Sequence, residues 1–588
     1  MEKFIDLLSK EVADAFEKAG YDANLGKVNV SNRPDLAEYQ CNGAMAAAKV
    51  YHKAPIMVAN DVVEVLKNSS VFAKVEAVNP GFINLDVSPS ALKDYILRIA
   101  ADEKFGLDAH DGSKTVIIDY GGPNVAKPLH VGHLRSAVIG ESIKRIYRYM
   151  GDKVIGDIHL GDWGLQMGLI IAELRERQPE LVYFDESFEG EYPSEAPFTI
   201  SDLEEIYPFA SGKSKQDEAF KAKAMEATFK LQSGVRGYRA LWNHIINVSV
   251  ADLKRNYNNL NVEFDLWNGE STVHEVIPGM VSYLKDNGYA HLDQGALVVD
   301  VKEETDTKEI PPCMILKSDG ASLYNTTDLA TIMERMRLYN PAEIIYVVDK
   351  RQDLYFEQVF RCARKTKLVN ENTSLKFLGF GTVNGKDGHA FKTRDGGVLR
   401  LEYLINEIND KMLEKILSGR EMSKEEAEAI SKVVALSALK YGDLSNQASK
   451  NYIFDIDKFI SFEGDTGPYL LYTVVRIKSI LAKAKEEGLE ADTKNIIEPT
   501  DASSKNLLKT LLTFNSVVEN AYDELAPHKI CAYLYDMANA FNSFYHENNI
   551  MKQEDPAIKA SFLGMLKLTL EMANASMDML GFSAPEKM

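Results

Sequence analysis

The chain is poor in cysteine, tryptophan and positive charge, and it contains no long apolar run. Its 588 residues hold only four cysteines, Cys41, Cys313, Cys362 and Cys531, which lie far apart and match no zinc-ligand spacing. That argues against a disulfide framework and predicts reduced thiols in a cytoplasmic protein. No apolar stretch approaches the roughly 20 residues of a membrane span. Residues 1–8 read as an acidic amphipathic helix rather than a secretion signal, so no membrane partner is expected. Lys and Arg number 67 against 87 Asp and Glu, a formal charge of −20. Nucleic-acid binders usually carry a basic footprint, so this deficit argues mildly against such a partner, although a local basic face remains compatible with it. Internal repeats and low-complexity tracts are absent as well.

What is present is an ordinary globular composition, 45% apolar and 26% charged, in a chain long enough for roughly three to five domains. Residues 1–108 mix helical and strand-like patterns, with a helical reading at 40–45 and a strand at 82–87. A polar, glycine-containing linker, 104–113, follows. From 114 the pattern becomes α/β: a strand at 115–119, a long helix from 131, and a strand at 153–159. Residues 175–265 carry an acidic loop at 185–197 and two helical stretches, and read as an insertion. Strand patterns return at 296–301, 314–316, 344–348 and 375–380. The economical summary is a Rossmann-like parallel sheet over 109–428, interrupted by the insertion, and an all-α bundle over 429–588. The fold class is therefore multidomain α/β with an N-terminal α+β appendage and a C-terminal helical bundle.

The most informative run is 119–135, Asp-Tyr-Gly-Gly-Pro-Asn-Val-Ala-Lys-Pro-Leu-His-Val-Gly-His-Leu-Arg. An apolar strand stops in a Gly-Gly-Pro turn, and a helix follows whose apolar positions Leu134, Val138, Ile143, Ile146, Tyr147 and Met150 recur at helical spacing, with Gly151 placed to end it. Pro128 biases Lys127 towards an extended conformation that projects its ammonium from the turn. Free N–H groups at the helix start favour phosphate oxygens. Gly132 lets a flat purine approach the backbone, and His130 and His133, one turn apart, can donate to one triphosphate. Two histidines at this spacing are also half of a metal site, but no cysteine or third histidine stands at ligand spacing, so no metal is expected from the protein's own ligands.

With Asn124 and Lys127 ahead of it, His130-Val131-Gly132-His133 resembles the first nucleotide-binding motif of class I aminoacyl-tRNA synthetases in the form found in the arginyl enzymes. Phe391-Lys392-Thr393-Arg394-Asp395-Gly396-Gly397, after the strand at 375–380 and a hairpin-like, glycine-rich stretch at 381–388, resembles the degenerate second motif of that family. Lys392, Thr393 and Arg394 would then meet the nucleotide together with His130, Gly132 and His133. Arg394 stands where the second motif normally has lysine, and the resemblance implies Lys127 as the compensating cation; arginine is a fixed fork and not a mobile point charge. The catalytic set implied is Lys127, His130, His133 and Arg394, with ATP as its magnesium complex. A guanidinium substrate calls for carboxylates, and the resemblance implies Glu270, Tyr324 and Asp328 at the guanidinium, with Asp119, Asn124 and Gln352 at the α-amino and carboxylate end. Tyr355 departs from the family, which more often has histidine there. Trp163, in the family-like run at 159–166, reads as core packing or as a wall of the site.

Two further segments resemble the family's RNA-binding parts. Asn79, Phe82 and Asn84 stand where the appended domain grips the tRNA D-loop, with Asn84 in place of a longer glutamine. Tyr469, Tyr472, Arg476 and Lys483 set aromatics and cations along one helix, a composition suited to an anticodon loop; Tyr469 and Arg476 are the foremost candidates. The resemblance implies a monomeric, cytoplasmic enzyme that joins L-arginine to tRNA(Arg) through an arginyl-adenylate. Three alternatives stand beside it. A class I synthetase for cysteine would need a thiol-friendly pocket or a metal. A non-catalytic RNA-binding paralogue is disfavoured by intact motifs, and a small-molecule nucleotidyltransferase would leave the bundle unexplained.

Overall fold

The computed structural model describes residues 1–386, 388–389, 400–419 and 422–588. They form two compact units: residues 110–460 with 579–582, and residues 1–109 with 461–578 and 583–588. No helix among the described residues is long and apolar enough to cross a membrane.

The first of these units is built on a five-stranded parallel sheet of β1 (Thr115–Tyr120), β2 (Lys153–Leu160), β3 (Leu266–Gly269), β4 (Glu343–Asp349) and β5 (Ser374–Phe380), in the order β5-β4-β1-β2-β3. Val116, Ile117 and Ile118 are wholly buried. β1 is central and covered on both faces, which is why it reads as an unbroken apolar run instead of an alternating one. From β1 the chain steps outward to β3, then crosses back to β4 beside β1. The strand order thus reverses between the C-terminal ends of β1 and β4, the crevice where doubly wound sheets hold ligands. Helix α1 (Val131–Met150) leaves the turn after β1 and buries Leu134, Val138, Ile143, Ile146, Tyr147 and Met150, as their spacing predicts; it stops at Gly151, φ 102°.

Several local readings need correction. Gln40 and Cys41 lie in a strand, Tyr39–Cys41, and the helix begins only at Gly43. Tyr39 and Cys41 are buried on one side of that strand, and this cross-strand packing overrides the helical composition of the run. The insertion holds three helices and not two, α2 (Ile200–Ser214), α3 (Glu218–Gln232) and α4 (Arg236–Asn259); Gly234, at φ 87°, separates the last two. The strands at 296–299 and 313–316 do not join the parallel sheet. With His291–Asp293 they make a separate antiparallel sheet, since the tight turn at Gln294–Gly295 permits only antiparallel pairing. The stretch at 381–388 is no simple hairpin, because Val383–Asn384 pairs in parallel with Tyr452–Ile453.

Helices α5 (Tyr324–Tyr339) and α6 (Asp353–Lys365) pack Leu329, Ile332 and Val359 against Ile117, Ile344 and Tyr346 of the sheet. Helices α7 (Leu401–Gly419) and α8 (Lys424–Leu444) follow, and the chain returns to this unit at 579–582. There, the Met579 carbonyl accepts from Ser142 Oγ in α1 (2.9 Å), and the Gly581 carbonyl accepts from Asn261 Nδ2 (3.0 Å) and Lys440 Nζ (2.9 Å).

The other unit joins an antiparallel sheet, in the order Val28–Val30, Tyr39–Cys41, Phe82–Val87, Phe72–Val78, to the helices that include α9 (Gly467–Glu486) and α10 (Pro527–Glu547). Glu38 ties the two parts: it pairs with Lys505 (2.9 Å) and Lys509 (3.1 Å) and accepts from the Val87 N–H (2.8 Å). The cations at its side outweigh burial and hold its carboxyl below the usual range.

Candidate active site

On the nucleotide side, α1 starts at the strand-order reversal with His130 as its cap. His130 Nδ1 accepts from the Gly132 N–H (3.0 Å), and His133 Nδ1 accepts from the His130 N–H (3.1 Å); the rings lie 3.9 Å apart. Burial lowers both imidazoles, His133 to about 3, with Lys127 acting on both in the same direction and His130 acting on His133. Both rings are therefore neutral at pH 7, and with Nδ1 accepting, each proton sits on Nε2. The pair offers two neutral Nε2–H donors beside the helix N-terminus. Gly132 is constrained by its own helix: a Cβ there would lie 2.7 Å from His130 Cε1. The glycine makes room for the histidine ring, a reason that stands beside the approach of a base.

Lys127 follows Ala126, which adopts φ 59° and donates its N–H to Ser249 Oγ of α4 (3.0 Å). The lysine Nζ stands 4.6 Å from the centroid of the Tyr207 ring on α2. Asn124 is half-buried and bridges to Gly161 at the end of β2. Lys392, Thr393 and Arg394 lie outside the described residues. The chain re-emerges at Arg400, which forms a backbone bridge with His130, while the Leu401 N–H donates to Leu129 O (2.9 Å).

On the other side of the crevice, three acids converge. Glu270 begins the turn after β3, Asp328 lies on the second turn of α5, and Asp162 follows β2. Burial first, then the charges of Asp162 and Asp328, push Glu270 up to about 8. Burial also raises Asp328 and Asp162. Asp162 is held by the Ser271 N–H (2.9 Å) and Oγ (2.5 Å), and Asp328 accepts from the Tyr355 hydroxyl. The Glu270 carboxyl has no hydrogen-bond or ion-pair partner among the described residues, so the pocket cannot hold all three carboxyls ionised without a cation from outside. Tyr324 opens α5 beside Glu270 and is 71% exposed. Gln352, in the turn after β4, is also exposed. Trp163 is half-buried between Trp242, His274 and Arg239, and donates to His274 Nδ1 (3.3 Å).

The structure thus brings Asp119, Asn124, Lys127, His130 and His133 to one turn, and Glu270, Tyr324 and Asp328 to one pocket. Asp119, however, has an internal partner that sequence reasoning missed. Arg335 Nη2 of α5 lies 2.6 Å from both Asp119 Oδ2 and Asp157 Oδ2, and its Nη1 donates to the Tyr346 hydroxyl (3.1 Å). Asp119, Asp157 and His159 present ligand atoms within 4.8 Å of one another, and this guanidinium supplies the cation between the two acids. A signal did exist: Asp119 and Asp157 face each other in register on two buried strands, and Arg335 is seven residues after Asp328 on the same helix.

Asp162, Tyr207 and Arg135 were also missed. Arg135 is 1% exposed; its Nη1 donates to Gly381 O (2.9 Å) and Lys450 O (2.8 Å), and its Nε to Asp443 Oδ2 (3.2 Å). It clasps α8 and the segment leading to the second motif onto the second turn of α1.

In the other unit, Tyr469, Tyr472, Arg476 and Tyr545 gather on α9 and α10. The Tyr469 hydroxyl donates to Asn539 Oδ1 (2.9 Å) and accepts from Asn542 Nδ2 (2.8 Å); Arg476 donates to Asn542 Oδ1 (3.0 Å) and lies over the Tyr472 and Tyr545 rings. Asn79 is exposed and Phe82 half-buried, whereas Asn84 is buried and accepts from Gln40 Nε2 (2.9 Å). Gln40 is half-buried and carries the longer side chain of that pair.

Residues 97–456 match the family model of the class I tRNA synthetase (R) catalytic domain, 470–588 the DALR anticodon binding domain, and 4–87 the arginyl tRNA synthetase N terminal domain. Among curated relatives, the arginine–tRNA ligases of Agathobacter rectalis and Alkaliphilus oremlandii are 60% and 56% identical, each over 100% of both chains. Two solved arginyl-tRNA synthetases share the fold over 100% of both chains: that of Plasmodium falciparum with TM-score 0.80 at 24% identity, and that of Thermus thermophilus with TM-score 0.78 at 22%. A catalytic-domain match over most of the chain, and relatives this similar end to end, agree with the geometry of the crevice: the chain belongs to the class I arginyl-tRNA synthetase family.

Proposed function

We propose that the chain joins L-arginine to tRNA(Arg) at the expense of ATP, and that the observation carrying this reading is the unpaired Glu270 beside Asp162 and Asp328. Three carboxyl groups around one pocket, one of them pushed up to about 8 by burial and by its two acidic neighbours, fit a guanidinium and not a thiol. Asp328, oriented by Tyr355, and Glu270 take the guanidinium, with Tyr324 closing over it. Asn124, Gln352 and the remaining oxygen of Asp119 face the α-amino and carboxylate end. ATP, as its magnesium complex, lies along the start of α1, where Gly132 leaves the base room. The arginine carboxylate attacks the α-phosphate in line, and pyrophosphate leaves past the Nε2–H groups of His130 and His133 and the cations Lys127, Lys392 and Arg394, with Thr393 beside them. A terminal ribose hydroxyl of the tRNA, the 2′ by class, then takes the arginyl group.

Catalysis on this reading is positioning and charge stabilisation, without a protein nucleophile. Tyr469 and Arg476 meet the anticodon loop, and Asn79, Phe82 and Asn84 the D-loop, with Gln40 extending Asn84. Four buried cysteines with no disulfide between them accord with a reducing, cytoplasmic setting, and the enzyme works as a monomer. ATP–pyrophosphate exchange, run with each amino acid with and without tRNA, tests the reading. Arginine-specific exchange that requires tRNA supports it; exchange with cysteine, or with no amino acid, defeats it. Within that assay Asp328→Ala raises the KM for arginine far more than that for ATP.

A further inference from the structure

The inserted helix α2 reaches the nucleotide side of the site with two residues one turn apart. Glu204 Oε2 accepts from Arg400 Nη1 (2.8 Å), and Arg400 bridges to His130. Tyr207 lays its ring against Lys127, with Nζ 4.6 Å from the centroid. The lysine's backbone is already fixed, by the left-handed Ala126 held on Ser249 and by Pro128 after it. What remains loose is the four-carbon stem. Its ammonium bears on both His130 and His133, so one cation is shared by two imidazoles and a phenol ring. No carboxylate pairs with Lys127 among the described residues.

We propose that Tyr207 is a positioning residue for the activation step, holding the Lys127 ammonium on its aim at the triphosphate without neutralising it. A carboxylate in the place of Tyr207 would pair with the ammonium and repel the phosphates. An aromatic face attracts the cation through its quadrupole and leaves its full charge for the substrate. The inference rests on the reading of Lys127 as the cation that meets the triphosphate.

Pyrophosphate exchange at saturating tRNA tests it. Tyr207→Leu lowers kcat by roughly five- to tenfold, the range a partly desolvated cation–π contact commands, while the KM for arginine stays put. Tyr207→Phe, which keeps the ring, restores the rate. In a Lys127→Ala background Tyr207→Leu costs little more. The inference is overturned if Tyr207→Leu works at the parental rate, if Tyr207→Phe fails as badly, or if the loss is the same without Lys127. Parental exchange by Lys127→Ala would bring down the reading of Lys127 itself, and the inference with it; a crippled Lys127→Ala beside a silent Tyr207→Leu overturns the inference alone.

Discussion

Glu270 keeps its proton at neutral pH in the ligand-free enzyme, because its carboxyl stands near 8. On the proposed reading an arriving guanidinium supplies a cation beside Glu270 and lowers that value, so arginine binding at pH 7 expels the proton. Below pH 8 the carboxyl must be deprotonated first, and each unit of acid costs up to tenfold in affinity. Arginine affinity therefore rises from pH 6 to pH 8 and then levels. Calorimetry in buffers of different ionisation enthalpy should read close to one proton released at pH 7, and Glu270→Gln should abolish the release while weakening binding. Zero release by the parent enzyme would contradict the assignment. The same shift has a stability counterpart. With the folded value raised above the ordinary 4.5, the stabilisation of the neutral carboxyl is complete below about pH 4.5 and is lost as pH climbs through 8. Arginine should accordingly protect the enzyme against heat most strongly in alkali. Glu270 and Asp328 are legible from sequence only through family resemblance. Nothing local marks Asp162 or Tyr207, since their roles arise from what the fold sets opposite them.

Among the elements, α1 is the one most fully legible. Its apolar spacing, its glycine stop and the turn before it are all local features. What is not local is the reason for Gly132. Alanine normally stabilises a helix relative to glycine by about 1 kcal/mol, yet here the added Cβ would meet the His130 ring at 2.7 Å. Gly132→Ala should therefore leave the melting temperature unchanged or slightly higher while kcat falls on the order of ten- to a hundredfold, the scale of a catalytic group displaced by a fraction of an ångström to one ångström. Thermal unfolding together with exchange kinetics checks this; a full-rate variant would show that the ring can move freely. Elements that escaped reading did so for physical reasons. β3 has four residues, too few for a period, and the strands at 296–299 and 313–316 betray their hydrophobicity but not their partners. Gln40 and Cys41 follow a packing preference that composition hides.

Across the whole molecule the formal charge of −20 has to coexist with a polyanionic partner. If Arg476 and the cations along α9 meet phosphate, the logarithm of tRNA affinity falls linearly with the logarithm of salt, by close to one unit of slope per contact. Filter binding between 50 and 200 mM salt measures it, and a salt-independent affinity would exclude an electrostatic footprint. The division of the chain into sheet and bundle is visible in the sequence, because the pattern turns almost purely helical after about residue 402. That residues 579–582 belong with the sheet is not, since a buried carbonyl leaves no mark on composition. Their contacts with Ser142, Asn261 and Lys440 carry a consequence for the order of synthesis. Helix α1 is made early, but one of its buried hydroxyls has no carbonyl to meet until the ribosome has passed residue 579. The helix start proposed to receive the nucleotide is thus completed by a residue made 437 positions after Ser142, so a chain interrupted within the bundle lacks this contact on α1.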